Sequence, residues 1–508
     1  MRNQNPTRYL ILAVVVIFLT ILTFTAHPRP QEIGSKSGGQ AERSELQEAN
    51  EESALNEAET VFKPQFPLRK SSTRYGYGLK ETGSEKSAYT IFTNPGQDCS
   101  TEMNISWATP PGKKWLIEVV DENTKQKYIY DYDEESLSGG EASDTVINGK
   151  KYKFPYQYLC DTYDNKKSKL SNGDVVYERH IFDKHGFELY DLEPNTEYRY
   201  RIITFNDSTG IKEYSEPRYF ITAGAPSWKA AIIGDFHHYS PAWKRLDSAM
   251  GMIDVLDSVA DGVDWVLSTG DQCAWGGSYN FWTELSEQPA FKDFMWASVQ
   301  GNHDNMTSNS EKSDAFFRDS HYFPWNGYEG QEGVTYWFRY GDVLFLMLNN
   351  EAMLTKGSVE PVYRWMEKVI KENPSKYVVV VEHHQWLIGT SGTNGQLDRF
   401  REIFDRLGVD LAISGHNHVY LRTYPLRDRQ PVEPQEGTYY VVNSSSDDSR
   451  GRDMKSLADN KDIIAKRWSE GSHTIGGMVM DVNPRRIQMT LYDRYGTVQD
   501  TFEVPAKR

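Results

Sequence analysis

Five short polar segments, each placed directly after an apolar run, constrain the fold more than any other feature of this sequence. They are Gly234–Asp235–Phe236–His237, Gly270–Asp271, Gly301–Asn302–His303–Asp304, Glu382–His383–His384 and Gly415–His416–Asn417–His418. In an α/β sheet, residues just past the strand ends share one rim, where ligand sites form. A single Gly-Asp after a strand is usually only a turn. Five such segments in one region predict a metal centre.

The region that carries these segments alternates strands with helices. WKAAIIGD, DWVLSTGD, YVVVVEHH and VDLAISGHNH predict strands, and TYWFRYGDVLFLMLNN predicts a two-strand hairpin. Apolar residues at helical spacing predict helices within 246–259, 362–370 and 397–407. Alternating strands and helices are typical of a layered α/β core, which we place at residues 225–508.

The amino terminus predicts a membrane anchor. Arg2 and Arg8 precede the uncharged run Tyr9–Ala26, which as a helix would span roughly 27 Å, close to the core of a bilayer. The basic end should stay in the cytoplasm, so we expect residues 1–26 to be a single-pass anchor with the rest of the chain outside the cytoplasm. The alternative is a signal peptide cleaved after Ala26, which would give a secreted protein.

Residues 27–85 predict a disordered acidic linker. The segment QEIGSKSGGQAERSELQEANEESALNEAE is rich in Glu, Ser, Gly and Gln and poor in aromatic residues. Such a composition does not bury enough apolar surface to order itself.

Residues 86–224 predict an all-β domain. MNISWAT alternates apolar and polar residues, LIEVVDENTKQKYIYDY predicts a hairpin, and two further alternating runs flank a turn at Glu193–Pro194–Asn195. Short antiparallel strands joined by turns are typical of a β-sandwich. The three cysteines are too few for a disulfide scaffold, and a Cys99–Cys160 bridge stays open if the chain is exported.

Taken in order, the motifs resemble those of the calcineurin-like metallophosphoesterases, and within them the purple acid phosphatase branch. GHNHVYLRTYP is similar to that branch's Gly-His-x-His-x-Tyr-x-Arg segment. STEMNISWATP and LEPNTEYRYRI resemble its fibronectin-type-III-like amino-terminal domain. The resemblance implies an α/β fold, a four-layer metallophosphoesterase β-sandwich flanked by helices. The fibronectin-III-like all-β domain and the amino-terminal transmembrane helix would precede it.

The resemblance also implies roles for individual residues. Asp235, His237 and His418 would hold one metal ion, Asn302, His383 and His416 would hold the second, and Asp271 would bridge both. A pair of metal ions activates water and polarises a phosphoryl oxygen, so such pairs hydrolyse phosphate esters. His303 would stabilise or protonate the leaving oxygen, and Asp304 would orient His303.

The sequence departs from the purple branch at two positions. Where that branch has a Gly in the first motif and a Tyr three residues after the bridging Asp, this chain has His237 and Ala274. The Tyr phenolate binds ferric iron and gives the colour of that branch. We therefore expect a colourless centre that holds two divalent or mixed-valence ions, with Fe, Mn and Zn all open.

Three further stretches stay ambiguous. His238 and His384 each follow a proposed ligand directly. They are either residues that support the ligands or form the pocket wall, or they are substrate contacts. The run Ser444–Arg450 predicts a solvated loop, with a substrate contact as its alternative.

The leading interpretation is hydrolysis of phosphate esters outside the cytoplasm. Small phosphomonoesters are the favoured substrates, because most of the purple branch that the sequence resembles acts on them. A phosphodiesterase or nucleotide hydrolase is the alternative. A non-catalytic surface binding protein, with an anchor, a spacer and a fibronectin-like module, is a third reading. The net charge of -16 argues against a nucleic-acid-binding face, because an acidic protein repels phosphate backbones.

Overall fold

The computed structural model describes residues 72–76, 88–110, 113–131, 146–147, 150–151, 180–206, 208–239, 244–306, 312–351, 353, 359–387, 395–447, 450–454 and 460–507. The predicted anchor and nearly all of the predicted linker lie outside these residues, and so does Cys160. Among the residues described, no helix combines the length and the apolar character needed to cross a bilayer.

The amino-terminal strands form two antiparallel sheets, as the alternating patterns predict. The strands are β1 Ser72–Gly76, β2 Tyr89–Pro95, β3 Met103–Thr109, β4 Trp115–Asp121, β5 Lys127–Asp131, β6 Val146–Ile147, β7 Lys150–Lys151, β8 His180–Leu189, β9 Glu197–Phe205, β10 Lys212–Tyr214 and β11 Arg218–Ile221. One sheet has the order β1-β8-β3-β2 and the other β10-β9-β4-β5, with β11 also paired to β9. The predicted hairpin is confirmed as the antiparallel pair β4–β5. Strands β6 and β7 form a two-stranded sheet.

The second part contains the remaining strands and the helices. The strands are β12 Trp228–Ile233, β13 Trp265–Ser268, β14 Met295–Ser298, β15 Tyr336–Tyr340, β16 Val343–Met347, β17 Tyr377–Val381, β18 Leu411–Ser414, β19 Tyr420–Thr423, β20 Leu426–Arg427, β21 Gln430–Pro431, β22 Tyr439–Val442, β23 Ile464–Trp468, β24 Gly476–Asn483, β25 Arg486–Asp493 and β26 Val498–Pro505. The helices are α1 Lys244–Ala260, α2 Tyr279–Ser286, α3 Pro289–Asp293, α4 Ala315–Ser320, α5 Glu360–Glu372 and α6 Leu397–Leu407.

Two mixed sheets form the centre of this part. One has the order β14-β13-β12-β24-β25-β26, and the other has the order β15-β16-β17-β18-β22-β19-β23. Helix α1 packs on β12 and β24. Apolar residues of α5 and α6 share a buried cluster with Leu344, Val378 and Val380 of the second sheet. The predicted α/β class is confirmed, because the sheets lie inside and the amphipathic helices cover them.

The central strands are buried except at Lys229 of β12, as expected for parallel strands covered on both faces. Strands β12, β13 and β14 run parallel, and so do β16, β17, β18 and β22. The predicted hairpin is confirmed as β15–β16, paired around Gly341. Parallel strands end at the same edge, so the polar segments that follow them are brought together.

The amino-terminal β domain packs directly on the α/β domain through β2. Phe92 contacts the Phe291 ring at a centroid distance of 5.5 Å and stacks on His321 at 4.6 Å. The Asn94 side-chain amide donates to the Trp296 carbonyl, and its oxygen accepts the Tyr322 amide. The buried apolar residues of both domains form one continuous cluster.

Two buried histidines make this fold sensitive to acid. His185 lies between Trp107 and Trp115, and His321 lies in the interface between the domains. Burial, reinforced by the charge of Lys184, lowers the pKa of each imidazole to about 3. Both rings are therefore neutral in the folded protein at neutral and mildly acidic pH.

We expect the free energy of unfolding to fall as the pH drops from 6.5 towards 3. The unfolded chain binds protons at these two rings that the folded chain excludes, and each ring contributes about 2 kcal/mol by pH 5. Urea unfolding at pH 7 and pH 5 measures the loss, and His321→Gln should shrink it by about that amount. The control is His473→Gln, because the His473 side chain is exposed. An unchanged loss in His321→Gln would contradict the assignment.

Candidate metal centre

Strand register places the predicted ligands at one edge of the two sheets. Ile233, Ser268 and Ser298 are direct neighbours across β12, β13 and β14, so the segments that follow them start at the same level. Val381 of β17 and Ile413 of β18 are paired in the same way. Backbone bonds continue past the strand ends, with the Asp235 amide donating to the Gly270 carbonyl and the Gly415 amide to the His383 carbonyl.

The structure brings together the three ligands predicted for the first ion. Asp235, His237 and His418 each direct a donor atom into one cluster, and all of these atoms lie within 4.8 Å of one another. The distance from His418 Nε2 to Asp235 Oδ1 is 3.5 Å. All three side chains are buried.

The ligands predicted for the second ion also converge. Donor atoms of Asp271, His383 and His416 lie within 4.8 Å of one another. His383 Nε2 is 3.2 Å from Asn302 Oδ1 and 3.2 Å from His416 Nδ1. The amide oxygen that the sequence assigns to this ion therefore lies beside its two imidazoles.

Asp271 lies between the two clusters. Its Oδ2 is 3.1 Å from His237 Nε2, a ligand predicted for the first ion, and 3.3 Å from His383 Nε2, a ligand predicted for the second. Its Oδ1 accepts the backbone amide of His303 at 2.8 Å. One carboxylate thus faces both ligand sets, which is the position that a bridging ligand requires.

Backbone carbonyls fix the orientation of three of these imidazoles. The Nδ1–H groups of His237, His383 and His418 donate at 2.8 Å to the carbonyls of Asp235, Thr269 and Arg450, respectively. Each bond leaves the Nε2 lone pair directed into the cluster. Metal-binding histidines are generally held in this way by a bond from the second ring nitrogen.

The electrostatics favour neutral imidazoles at His237 and His416 beside an ionised Asp271. His383 differs, because burial would lower its pKa but the neighbouring Asp271 outweighs burial and raises the pKa of that imidazole to about 10, so His383 must release a proton to bind a metal ion. Burial lowers the pKa of His237 to about 3 and that of His416 to about 2. Burial tends to raise the pKa of Asp271, but the neighbouring His383 and His303 outweigh it and hold that pKa well below its usual range. Neutral imidazole and ionised carboxylate are the forms that bind metal ions.

The backbone at this edge is held in a rarely adopted conformation. Five of the seven predicted ligands have φ between 45° and 71°, in the left-handed region: Asp235, His237, Asp271, His416 and His418. A residue with a Cβ in that region costs on the order of 1 kcal/mol or more, and such residues cluster at functional sites. The donor set, the oriented imidazoles and the strained backbone together fit a pair of metal ions.

His303 and Asp304, predicted as the catalytic pair, have separate surroundings. The His303 Nδ1–H donates to the Ala274 carbonyl at 2.8 Å, and the half-buried ring lines the pocket. The Asp304 carboxylate accepts the amides of Cys273 and Gly301 at 3.0 and 2.9 Å. The expectation that Asp304 orients His303 is therefore corrected. Ala274 orients the ring, while Asp304 ties two ligand loops together.

His238 and His384, considered as substrate contacts in the sequence analysis, are buried and do not line the pocket. His238 Nε2 bonds to the carboxylate of Glu284, and His384 Nε2 bonds to that of Glu351. The His384 ring packs against the ligand His416 at a centroid distance of 4.5 Å. Neither histidine lines the pocket, so both match the alternative reading, in which they support the ligands.

The cluster opens into a pocket of about 120 Å³. Its wall consists of His237, Asp271, Asn302, His303, His416, His418, Arg450 and Arg452. Five of these residues are predicted metal ligands and one is the predicted proton donor. The two arginines come from the segment after β22.

Comparison with known proteins supports this reading. Residues 229–420, which contain all seven predicted ligands, match the family described as calcineurin-like phosphoesterase. These residues form a calcineurin-like phosphoesterase domain. The family consists of hydrolases that act on phosphoric ester bonds.

The chain has relatives at low sequence identity. An uncharacterized protein of Mycobacterium tuberculosis, from strains CDC 1551 and H37Rv, is 26% identical over 151 residues. The match covers 26% of this chain and only 28% of that protein. Purple acid phosphatase PPD1 from yellow lupin seeds has a similar fold, with a TM-score of 0.60 at 14% identity, over 83% of this chain and 74% of that one.

Sequence reasoning missed Glu351 and Arg452. Glu351, which bonds His384 and Lys312, follows β16, a parallel neighbour of β17, so the strand-end rule that found the ligands could have found it. Arg452 lies well past the end of β22, where that rule gives no signal. Arg450 belongs to the run Ser444–Arg450, for which a substrate contact was the alternative.

Two predicted differences from the purple branch have a clear structural basis. His237 directs Nε2 at Asp271, so it occupies a ligand position. Ala274 is buried and contributes only its carbonyl, which orients His303. The site therefore has an imidazole and has no phenolate among its described residues.

Gly301→Ala should strongly weaken metal binding. An added Cβ would lie 2.1 Å from Asp271 Oδ1 and 2.3 Å from the Asp271 amide nitrogen, so the bridging carboxylate would have to move. We expect the two ions per chain of the unaltered protein to fall below one, as measured by inductively coupled plasma mass spectrometry. Gly251→Ala in α1 is the matched control, because its added Cβ meets nothing within 4 Å. Full metal content in Gly301→Ala would refute the bridging role.

Proposed function

We propose that this protein hydrolyses small phosphomonoesters with a pair of metal ions. The observation that carries the proposal is the position of Asp271, whose Oδ2 lies 3.1 and 3.3 Å from imidazoles of the two ligand sets. Asp235, His237 and His418 would hold one ion, and Asn302, His383 and His416 would hold the other. When bound, such a pair supplies Lewis-acid activation of water and of the phosphoryl oxygen.

His303 is suited to deliver a proton in this reaction. Its Nδ1–H is fixed on the Ala274 carbonyl, so Nε2 is the nitrogen available to the pocket that the ring lines. Water forms a new P–O bond, the bond to the leaving oxygen breaks, and that oxygen takes up a proton. A ring held by one carbonyl delivers the proton from a fixed position, which favours general acid catalysis.

The choice of monoesters is supported by the fold and by the pocket. The fold is similar to that of a purple acid phosphatase, and the pocket is small. A phosphodiesterase or nucleotide hydrolase is the second candidate, because the arginines at the wall would also suit a larger anionic substrate. A purely adhesive role is disfavoured, since the ligand set is complete and its donor atoms converge.

The fibronectin-III-like β domain is proposed to support the phosphoesterase domain by packing. Its two antiparallel sheets fit this class, and β2 joins the same buried cluster as the phosphoesterase sheets. We further propose that the apolar run Tyr9–Ala26 anchors the chain in a membrane with the catalytic part outside the cytoplasm. That proposal is supported by the sequence alone.

The metal centre is expected to be colourless. The visible absorption of the purple branch comes from a Tyr phenolate on ferric iron, and this chain has Ala274 at the corresponding position. Loading with Fe, Mn or Zn should give full occupancy without a strong visible band, as checked by absorption spectroscopy with metal analysis. The variant Ala274→Tyr is the informative comparison. An intense purple band in the unaltered protein would overturn the expectation.

A substrate panel tests the proposed activity. The purified, metal-loaded protein is assayed on phosphomonoesters, phosphodiesters and nucleotides, and we expect the highest kcat/KM on monoesters. His303→Gln should lower kcat on these by about 100-fold to 10,000-fold while metal content stays intact. The control is His473→Gln, which changes an exposed histidine. Turnover of diesters alone would exclude the monoesterase assignment, and no turnover at all would exclude the enzyme.

A further inference from the structure

The segment after β22 is built into the metal centre. Residues 444–447 were expected to be solvated, but Ser444, Ser445, Ser446 and Asp447 are fully buried. The Ser445 hydroxyl donates to the Asp235 carbonyl at 2.8 Å, and the Ser446 amide donates to the Gly234 carbonyl at 3.0 Å. These bonds satisfy buried polar groups and attach the segment to the loop that carries Asp235.

This attachment carries two arginines to the pocket. Arg450 orients the ligand His418 through its carbonyl, and its side chain lines the pocket together with that of Arg452. Both arginines therefore lie beside the predicted metal ligands. Arg452 is exposed, which places it at the pocket rim.

Two arginines, Arg450 and Arg452, stand among the described residues of the pocket wall. Asp447 lies behind them, with its Oδ2 3.5 and 4.0 Å from the Nε atoms of Arg245 and Arg450. In the proposed function the two metal ions and His303 act on the phosphoryl group that is cleaved. The two arginines are therefore available to bind a further anionic group.

We propose that Arg452, together with Arg450, recognises a second phosphate on the substrate, beyond the one that is cleaved. This inference rests on the proposed function and narrows its substrate class to phosphate esters or anhydrides whose leaving group carries phosphate. A guanidinium group suits this task because its planar donors match phosphate oxygens in pairs. Arg452 at the rim can reach a leaving group that points out of the pocket.

Binding of non-hydrolysable probes tests the proposal without turnover. Isothermal titration of the metal-loaded protein compares methylenebisphosphonate, which has two phosphoryl groups, with methylphosphonate, which has one. We expect Arg452→Ala to weaken bisphosphonate binding about tenfold or more relative to methylphosphonate binding, the size of a lost charge-assisted hydrogen bond. The bisphosphonate affinity of Arg452→Lys should lie between those of the unaltered protein and of Arg452→Ala, because lysine keeps the charge and loses the paired geometry.

The matched control is Arg485→Ala. Arg485 is exposed in the turn between β24 and β25. That turn lies beside Trp228, at the end of β12 opposite the metal centre. The variant therefore removes one surface arginine without touching the pocket, and both probes should bind it as they bind the unaltered protein.

Kinetics then identify the source of the second phosphate. The ratio of kcat/KM for a nucleoside diphosphate to kcat/KM for phenyl phosphate measures recognition of an anhydride-linked phosphate. The corresponding ratio for a sugar bisphosphate to phenyl phosphate measures recognition of a second phosphate held in a separate ester. Arg452→Ala should lower at least one ratio by tenfold or more, and the ratio that falls names the source.

The other outcomes separate this inference from the proposed function. Equal weakening of both probes would mean that Arg452 binds the scissile phosphate, and no weakening would mean that it binds neither; each result overturns the inference. Turnover of phenyl phosphate with unchanged ratios would overturn it while the phosphatase assignment stands. Arg452-dependent binding of the bisphosphonate without turnover of any substrate would uphold recognition of a second phosphate and would overturn the proposed hydrolysis.

Discussion

The placement of one buried carboxylate, that of Asp271, underlies the rest of the site. Its Oδ1 is fixed by the amide of His303, and its Oδ2 faces His237 on one side and His383 on the other. The approach is so close that Gly301 has no room for a side chain. One ligand from each of the two sheets thus meets the other at a single oxygen atom, and the second oxygen of the same carboxylate holds the backbone of His303.

The backbone conformations and the burial of the ligand residues are locally unfavourable. The surrounding core compensates by holding these residues in place. Five of the ligands adopt left-handed backbone conformations, and most of the ligating groups are buried. Strain of this kind persists only when the neighbouring structure fixes the backbone on every side. Here the central strands are almost entirely buried, and backbone hydrogen bonds continue the strand pairing past the strand ends into the ligand loops. Metal ions would meet a largely preformed site, which limits the reorganisation on binding.

Much of this arrangement follows from the sequence, because apolar runs locate strands and parallel strands end at one rim. That rule placed Asp235, Asp271 and His383 together, although they are far apart along the chain. The rule did not give the role of Asp304. An acidic residue next to a histidine in sequence suggests a hydrogen bond between the two, but in the structure the Asp304 carboxylate accepts two backbone amides instead. The serine run was misjudged since polar residues are buried readily when backbone carbonyls accept their hydrogen bonds.

The shared core between the two domains has a mechanical consequence. Phe92 and Asn94 of β2 contact the region around β14, the strand that leads into the Asn302 loop. No hinge separates the sandwich from the strand in the described part of the chain, so a load applied to the sandwich is transmitted directly to the scaffold of the site. Relative sliding of the two domains would require a large apolar surface to be exposed to water, and the pair should behave as a single stiff body in which the pocket cannot widen by domain motion.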